Sequence, residues 1–134
     1  MTPVELHVER LKSRLSTQTP ETSVDVRTLP SGAQLILVRD YHLVEGWNRE
    51  LTSIAFLAPV GYPGAQPDCF WVIPAGFRLA NGSVPQASND SNPVPEAPDI
   101  QGTWFSWHVQ YWNPNSDSLS TYFSVIEKRL ELLQ

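Results

Sequence analysis

The chain has 134 residues, enough for one domain with a real core. Hydrophobic residues make up 41% and charged residues 17%, which excludes a disordered class, and the net charge of −5 without a Lys/Arg cluster argues against a nucleic-acid or anionic-membrane surface. No apolar run has membrane-spanning length, Met1–Arg14 lacks the apolar core of a signal peptide, and the one cysteine, Cys69, can form no internal disulfide, so the expected location is cytoplasmic.

Val4, Val8, Leu11 and Leu15 form one stripe of an amphipathic helix, with Thr2 as N-cap and Pro3 at the first helical position. Thr19-Pro20 ends it. Val24 and Val26 alternate with Asp25 and Arg27, then Pro30-Ser31-Gly32 turns the chain into a second strand over Ala33–Arg39, which predicts a hairpin. Leu51–Leu57 reads as a third strand and Cys69–Val72 as a fourth, after a tight connection framed by Tyr62-Pro63-Gly64 and Pro67. Beyond Pro74 the periodicity fades. Residues 83–101 are rich in Pro, Asn and Ser and read as a long, flexible irregular segment. The aromatic patch Trp104, Phe105, Trp107, Tyr111 and Trp112 follows. Leu119, Tyr122, Phe123, Ile126, Leu130 and Leu133 then recur at helical spacing behind an N-cap at Asp117 or Ser118. The expected class is α+β: one domain over 1–134, with an N-terminal helix, a four-stranded antiparallel meander, the irregular segment and a C-terminal helix.

The predicted strands are apolar on both faces: Leu35 and Leu37 oppose Ile36 and Val38, and Phe70 opposes Cys69 and Trp71. One face should take the helices. On the other, Ile36, Val38 or Phe70 is expected at a protein interface. Trp104, Trp107 and Tyr111 either cap the core or anchor a partner. His7, His42 and His108 stand apart from any metal-ligand spacing, so no metal and no cofactor are expected. A serine-hydrolase set built from Ser83 or Ser106 with His108 is only one of many such combinations on paper.

In order along the chain stand Gly61-Tyr62-Pro63, Pro67, Phe70-Trp71, Arg78-Leu79-Ala80, Asn81-Gly82-Ser83, Pro85-Gln86, Trp104…Trp107-His108 and Trp112-Asn113-Pro114. Taken together over nearly the whole chain, they resemble the ubiquitin-conjugating (UBC) superfamily, and within it the bacterial branch called prokaryotic family E. The resemblance assigns Tyr62, Pro63, Pro67, Trp112 and Pro114 to the structural motif. It also places the superfamily's catalytic cysteine shortly after the Asn81-Gly82-Ser83 turn, where this chain has Val84-Pro85-Gln86-Ala87. A thioester carrier needs a thiolate, and proline offers no nucleophile. The superfamily's upstream His-Pro-Asn, whose Asn serves the oxyanion, corresponds to Phe77-Arg78-Leu79.

The resemblance therefore implies a catalytically inactive conjugating-enzyme-like protein in a bacterial, antiphage ubiquitin-like conjugation system. Its implied partners are a ubiquitin-like protein, an activating enzyme or an active conjugating enzyme, with self-association also open. One alternative is an active enzyme carrying the thioester on Cys69. Another is a scaffold that assembles ubiquitin-like proteins without transfer.

Overall fold

The structure is a computed structural model covering residues 1–134. Helix α1 runs Pro3–Gln18, with Thr2 at its N-cap accepting from the Glu5 N–H at 3.1 Å. Its stripe buries Val8, Leu11 and Leu15. Strands β1 (Ser23–Thr28), β2 (Gln34–His42), β3 (Leu51–Ala58) and β4 (Phe70–Ile73) form the predicted antiparallel meander. Helix α2 runs Leu119–Glu131 behind Ser118, whose N–H donates to the Thr121 hydroxyl at 3.0 Å.

The sheet has six strands rather than four, in the order β1-β2-β3-β4-β6-β5. β5 (Ser88–Val94) and β6 (Ala97–Phe105) form a hairpin inside the stretch that composition marked as irregular. The reason is an edge position. β5 reads Ser-Asn-Asp-Ser-Asn-Pro-Val and buries only Val94, so it has no apolar alternation to betray it. β6 is inserted beside β4, pairing Phe70 with Phe105 and Trp71 with Trp104. Gly102 permits that approach, since a Cβ there would lie 2.5 Å from the Val72 carbonyl oxygen.

Both helices pack on one face of the sheet. The main core joins Val8, Leu11 and Leu15 of α1 and Tyr122, Phe123 and Ile126 of α2 to Ile36, Val38, Ile54, Phe56, Phe70 and Phe105. Phe70 and Phe105 stack at 4.8 Å, and Phe56 meets Phe123 at 6.2 Å. Each such ring buried contributes about 1.5–3 kcal/mol. The second face carries its own smaller core: Leu35, Ala55 and Trp71 from strand centres, with Leu29 and Ala33 from the β1–β2 turn and Val94 and Ala97 from the β5–β6 turn. The sheet curls toward that face until its far strands meet. The Arg27 guanidinium of β1 donates to both carboxylate oxygens of Asp99 on β6 at 3.0 Å, although three strands lie between them in the sheet. Ser31 donates from its N–H and its hydroxyl to Glu96, at 2.8 and 2.6 Å. Two-sided apolar strands are thus satisfied by helices on one side and by curvature on the other.

Candidate functional site

Val84–Ala87, where the resemblance leads one to expect a nucleophile, follows a closed turn. The Gly82 N–H donates to Leu79 O at 2.8 Å, the Leu79 N–H to Ser83 O at 3.0 Å, and the Asn81 side chain accepts from the Ser83 N–H at 2.9 Å. Val84 is exposed, and Pro85 is buried. The Pro85 carbonyl accepts from the Ser88 hydroxyl at 2.6 Å, and the Ala87 carbonyl accepts from the Ser106 N–H at 3.0 Å. The Gln86 carbonyl accepts from the Arg129 guanidinium at 2.7 Å.

Arg129 lies on α2 with 1% of its surface exposed, and no carboxylate side chain stands within ion-pair distance. It also donates to the backbone oxygens of Leu132 and Gln134, and its charge sits 5.1 Å from the Phe105 ring and 5.2 Å from the Trp107 ring. Burial lowers its pKa from the ordinary arginine value. Sequence reasoning passed over this residue. The signal was present, because Arg129 falls seven residues after Tyr122 and three after Ile126, on the apolar stripe of α2.

Phe77-Arg78-Leu79, which the resemblance set against the superfamily's His-Pro-Asn, is equally fixed. Phe77 is fully buried and stacks on Trp47 at 4.4 Å. The Arg78 guanidinium donates to Asp90 at 3.1 Å, and the same carboxylate accepts from the Gly76 N–H and the Thr103 hydroxyl at 2.9 and 2.7 Å. Partial burial pushes the Asp90 carboxyl up. The hydrogen bonds from Gly76, Thr103, Ser91 and Arg78 outweigh that and hold it at about 2. Asp90 thus acts as a structural clamp between this segment and the β5–β6 hairpin.

Cys69 precedes β4 and shares the second face with Trp71 and Trp104, half-buried. Burial pushes its thiol up, Trp104 pulls it partly back, and Asp68 adds to the rise. That is the reverse of an activated thiolate. His108 is exposed, with its Nδ1 3.9 Å from Asp68. Neither Ser83 nor Ser106 hydrogen-bonds to a histidine through its side chain. His7 Nδ1 lies 2.6 Å from the Tyr62 hydroxyl, and His42 lies 3.9 Å from Glu21. No three His, Cys, Asp or Glu side chains are grouped to hold a metal ion.

Among the expected interface residues, Ile36, Val38 and Phe70 are each 0% exposed, beneath the helices. The choice of face is corrected by β3: Phe56 is register partner to both Ile36 and Phe70, and it packs against α2. The face free of helices carries Leu37, Leu57, Ile73, Ile100 and Trp104, all partly exposed. A cavity of about 450 Å³ lies there, lined by Leu37, Ile73 and Ile100 with Arg27, Arg39 and Asp99. Trp107 packs against the main core, whereas Tyr111 is 90% exposed. The motif residues Tyr62, Pro63 and Trp112 converge: the Trp112 indole donates to Pro63 O at 2.7 Å, and its ring lies 6.2 Å from Tyr62. Pro67 is buried nearby in sequence, and Pro114 sits exposed in the turn before α2.

No curated protein and no solved structure matches the chain significantly. The family description "Prokaryotic E2 family E" matches residues 16–132, nearly the whole fold including segment 84–87. The chain belongs to the prokaryotic E2 family E.

Proposed function

We propose that this chain is a catalytically inactive E2-like protein that binds a ubiquitin-like protein, or another component, in a bacterial ubiquitin-like conjugation system. Antiphage defence in the cytoplasm is the setting that the resemblance suggests. The observation that carries the reading is segment 84–87. It has no nucleophilic side chain, its proline is buried, and Arg129 and Ser106 fasten its backbone. A thioester intermediate requires an accessible thiolate. The one thiol is half-buried with a raised pKa, which speaks against Cys69 in that role.

The partner surface we assign is the second face, around Leu37, Ile73, Ile100 and Trp104, with exposed Tyr111 as a separate anchor. The experiment incubates the purified chain with its cognate activating enzyme, ATP and ubiquitin-like protein, and reads non-reducing gels beside calorimetric binding. We expect binding without a thiol-sensitive adduct. Leu37→Asp should weaken binding at least about tenfold. An adduct that disappears in Cys69→Ser sinks this reading and establishes the enzyme. A complex containing many ubiquitin-like copies per chain by light scattering, with no adduct, favours the scaffold instead.

A further inference from the structure

The two edges of the sheet are built differently. The β5 edge is protected: it carries Pro93, two breaks in register and a left-handed Ser91, all of which disrupt further strand pairing. The β1 edge has none of these. It is six residues of regular strand in unbroken register with β2, and its outer side pairs with nothing. Val26 at its centre is 42% exposed and borders a cavity of about 620 Å³ between α1 and the β1–β2 hairpin.

The backbone of β1 states which groups face outward. The Leu29 N–H donates across the turn to Ala33 O at 2.8 Å, so Leu29 and Ala33 form a hydrogen-bonded pair. Antiparallel pairs alternate between hydrogen-bonded and non-hydrogen-bonded. Arg27, Asp25 and Ser23 therefore turn their amides toward β2. Val24, Val26 and Thr28 turn theirs to the open edge.

We propose that this edge pairs with the same edge of a second copy of the chain, antiparallel, about a two-fold axis through Val26. Charge selects that register. Centred on Asp25, the pairing opposes two aspartates; centred on Arg27, it opposes two arginines. Centred on Val26, it sets Asp25 of each copy opposite Arg27 of the other in close non-hydrogen-bonded pairs. Val24 then exchanges hydrogen bonds with Thr28 and Val26 with Val26, using all three outward residues on both copies. Charged residues on an edge strand ordinarily repel a neighbour. Here their opposite signs, two residues apart, exclude the wrong registers and favour one. The exposed Val26 side chains meet on the helix-bearing face.

The test is sedimentation equilibrium of the full chain and of Asp25→Lys and Arg27→Glu, each alone and then mixed in equal amounts. Both positions are exposed, and circular dichroism checks that the variants fold. The wild type should dimerise, and each variant alone should self-associate at least about tenfold more weakly, because like charges then oppose one another. The mixture should recover dimer. In it the lysine introduced by Asp25→Lys faces the glutamate introduced by Arg27→Glu, and the unaltered Arg27 of the first variant faces the unaltered Asp25 of the second. A wild type that stays monomeric at high concentration overturns the proposal and leaves the edge to a strand of another protein. So do variants that dimerise as the wild type does, or a mixture that gains nothing.

Discussion

Arg129 holds a permanent charge in a place that water barely reaches, where it meets the backbone oxygens of Gln86, Leu132 and Gln134 and two aromatic faces. Removing such a group leaves three acceptors short of a donor. Arg129→Met should therefore cost about 2–4 kcal/mol in urea unfolding. Arg129→Lys should recover only part of that, because an ammonium cannot span the carbonyls and stack at once. Cys69 offers a second measurement. Its raised thiol pKa and half burial predict that a thiol reagent at mildly alkaline pH reacts at least about tenfold faster in denaturant than with the native protein. Equal rates would mean the strand is open and the thiol accessible. At this scale the sequence was readable where strand parity was enough: alternation put Cys69 and Trp71 on one face. It was misleading for Ile36, Val38 and Phe70, because parity separates two faces without saying which one the helices choose.

The β5–β6 hairpin is the element that composition concealed. Its Pro and Asn residues are those of a loop, and its pairing is held instead by β4 and by the Asp90 clamp. Helices and β1–β4 were legible because each carries a stripe, an alternation or a short apolar run, whereas β5 buries one side chain. Asp90→Ala should lower stability by about 2 kcal/mol, since the Gly76 N–H, Thr103 and Arg78 lose their acceptor. The same carboxylate has a pH signature. Its folded pKa of about 2 lies below the unfolded value. Its contribution is thus present above the unfolded pKa near 4 and is lost as pH falls toward 2. Allowing for the 30% of its side chain that solvent still reaches, that contribution is about 1–2 kcal/mol. The Asp90→Ala variant should show a correspondingly flatter acid limb in unfolding measured between these limits. Amide exchange should be slow at Thr103 and Phe105 and faster through 83–87.

For the whole molecule, the ordered motifs and the two helices were sufficient to indicate the α+β class and the family, and the shape of the second face was not. Curvature of a sheet is a cumulative property of its strands, and no residue pattern announces that Arg27 will reach Asp99, 72 positions away. Trp71 is the keystone of that closed face, 3% exposed, and its indole N–H has no acceptor. Trp71→Phe removes the unpartnered donor together with modest area and should cost less than about 1.5 kcal/mol, whereas Trp71→Ala empties the small core and should cost about 3–5 kcal/mol. Thermal midpoints of the two variants check the contrast. A Phe variant as unstable as the Ala variant would mean that the indole nitrogen is bonded after all.

The meeting of the sheet's two ends has a thermodynamic corollary. Arg27–Asp99 is a solvent-exposed ion pair, so dissolved salt screens it and loosens the rim it fastens. Leu37, Ile73 and Ile100 lie just inside that rim. A protein that docks on them must first part the rim or compete with it for the same arginine. Its affinity should then rise with ionic strength, opposite to association steered by charge, and a binding isotherm repeated across a salt series would show which face the partner uses.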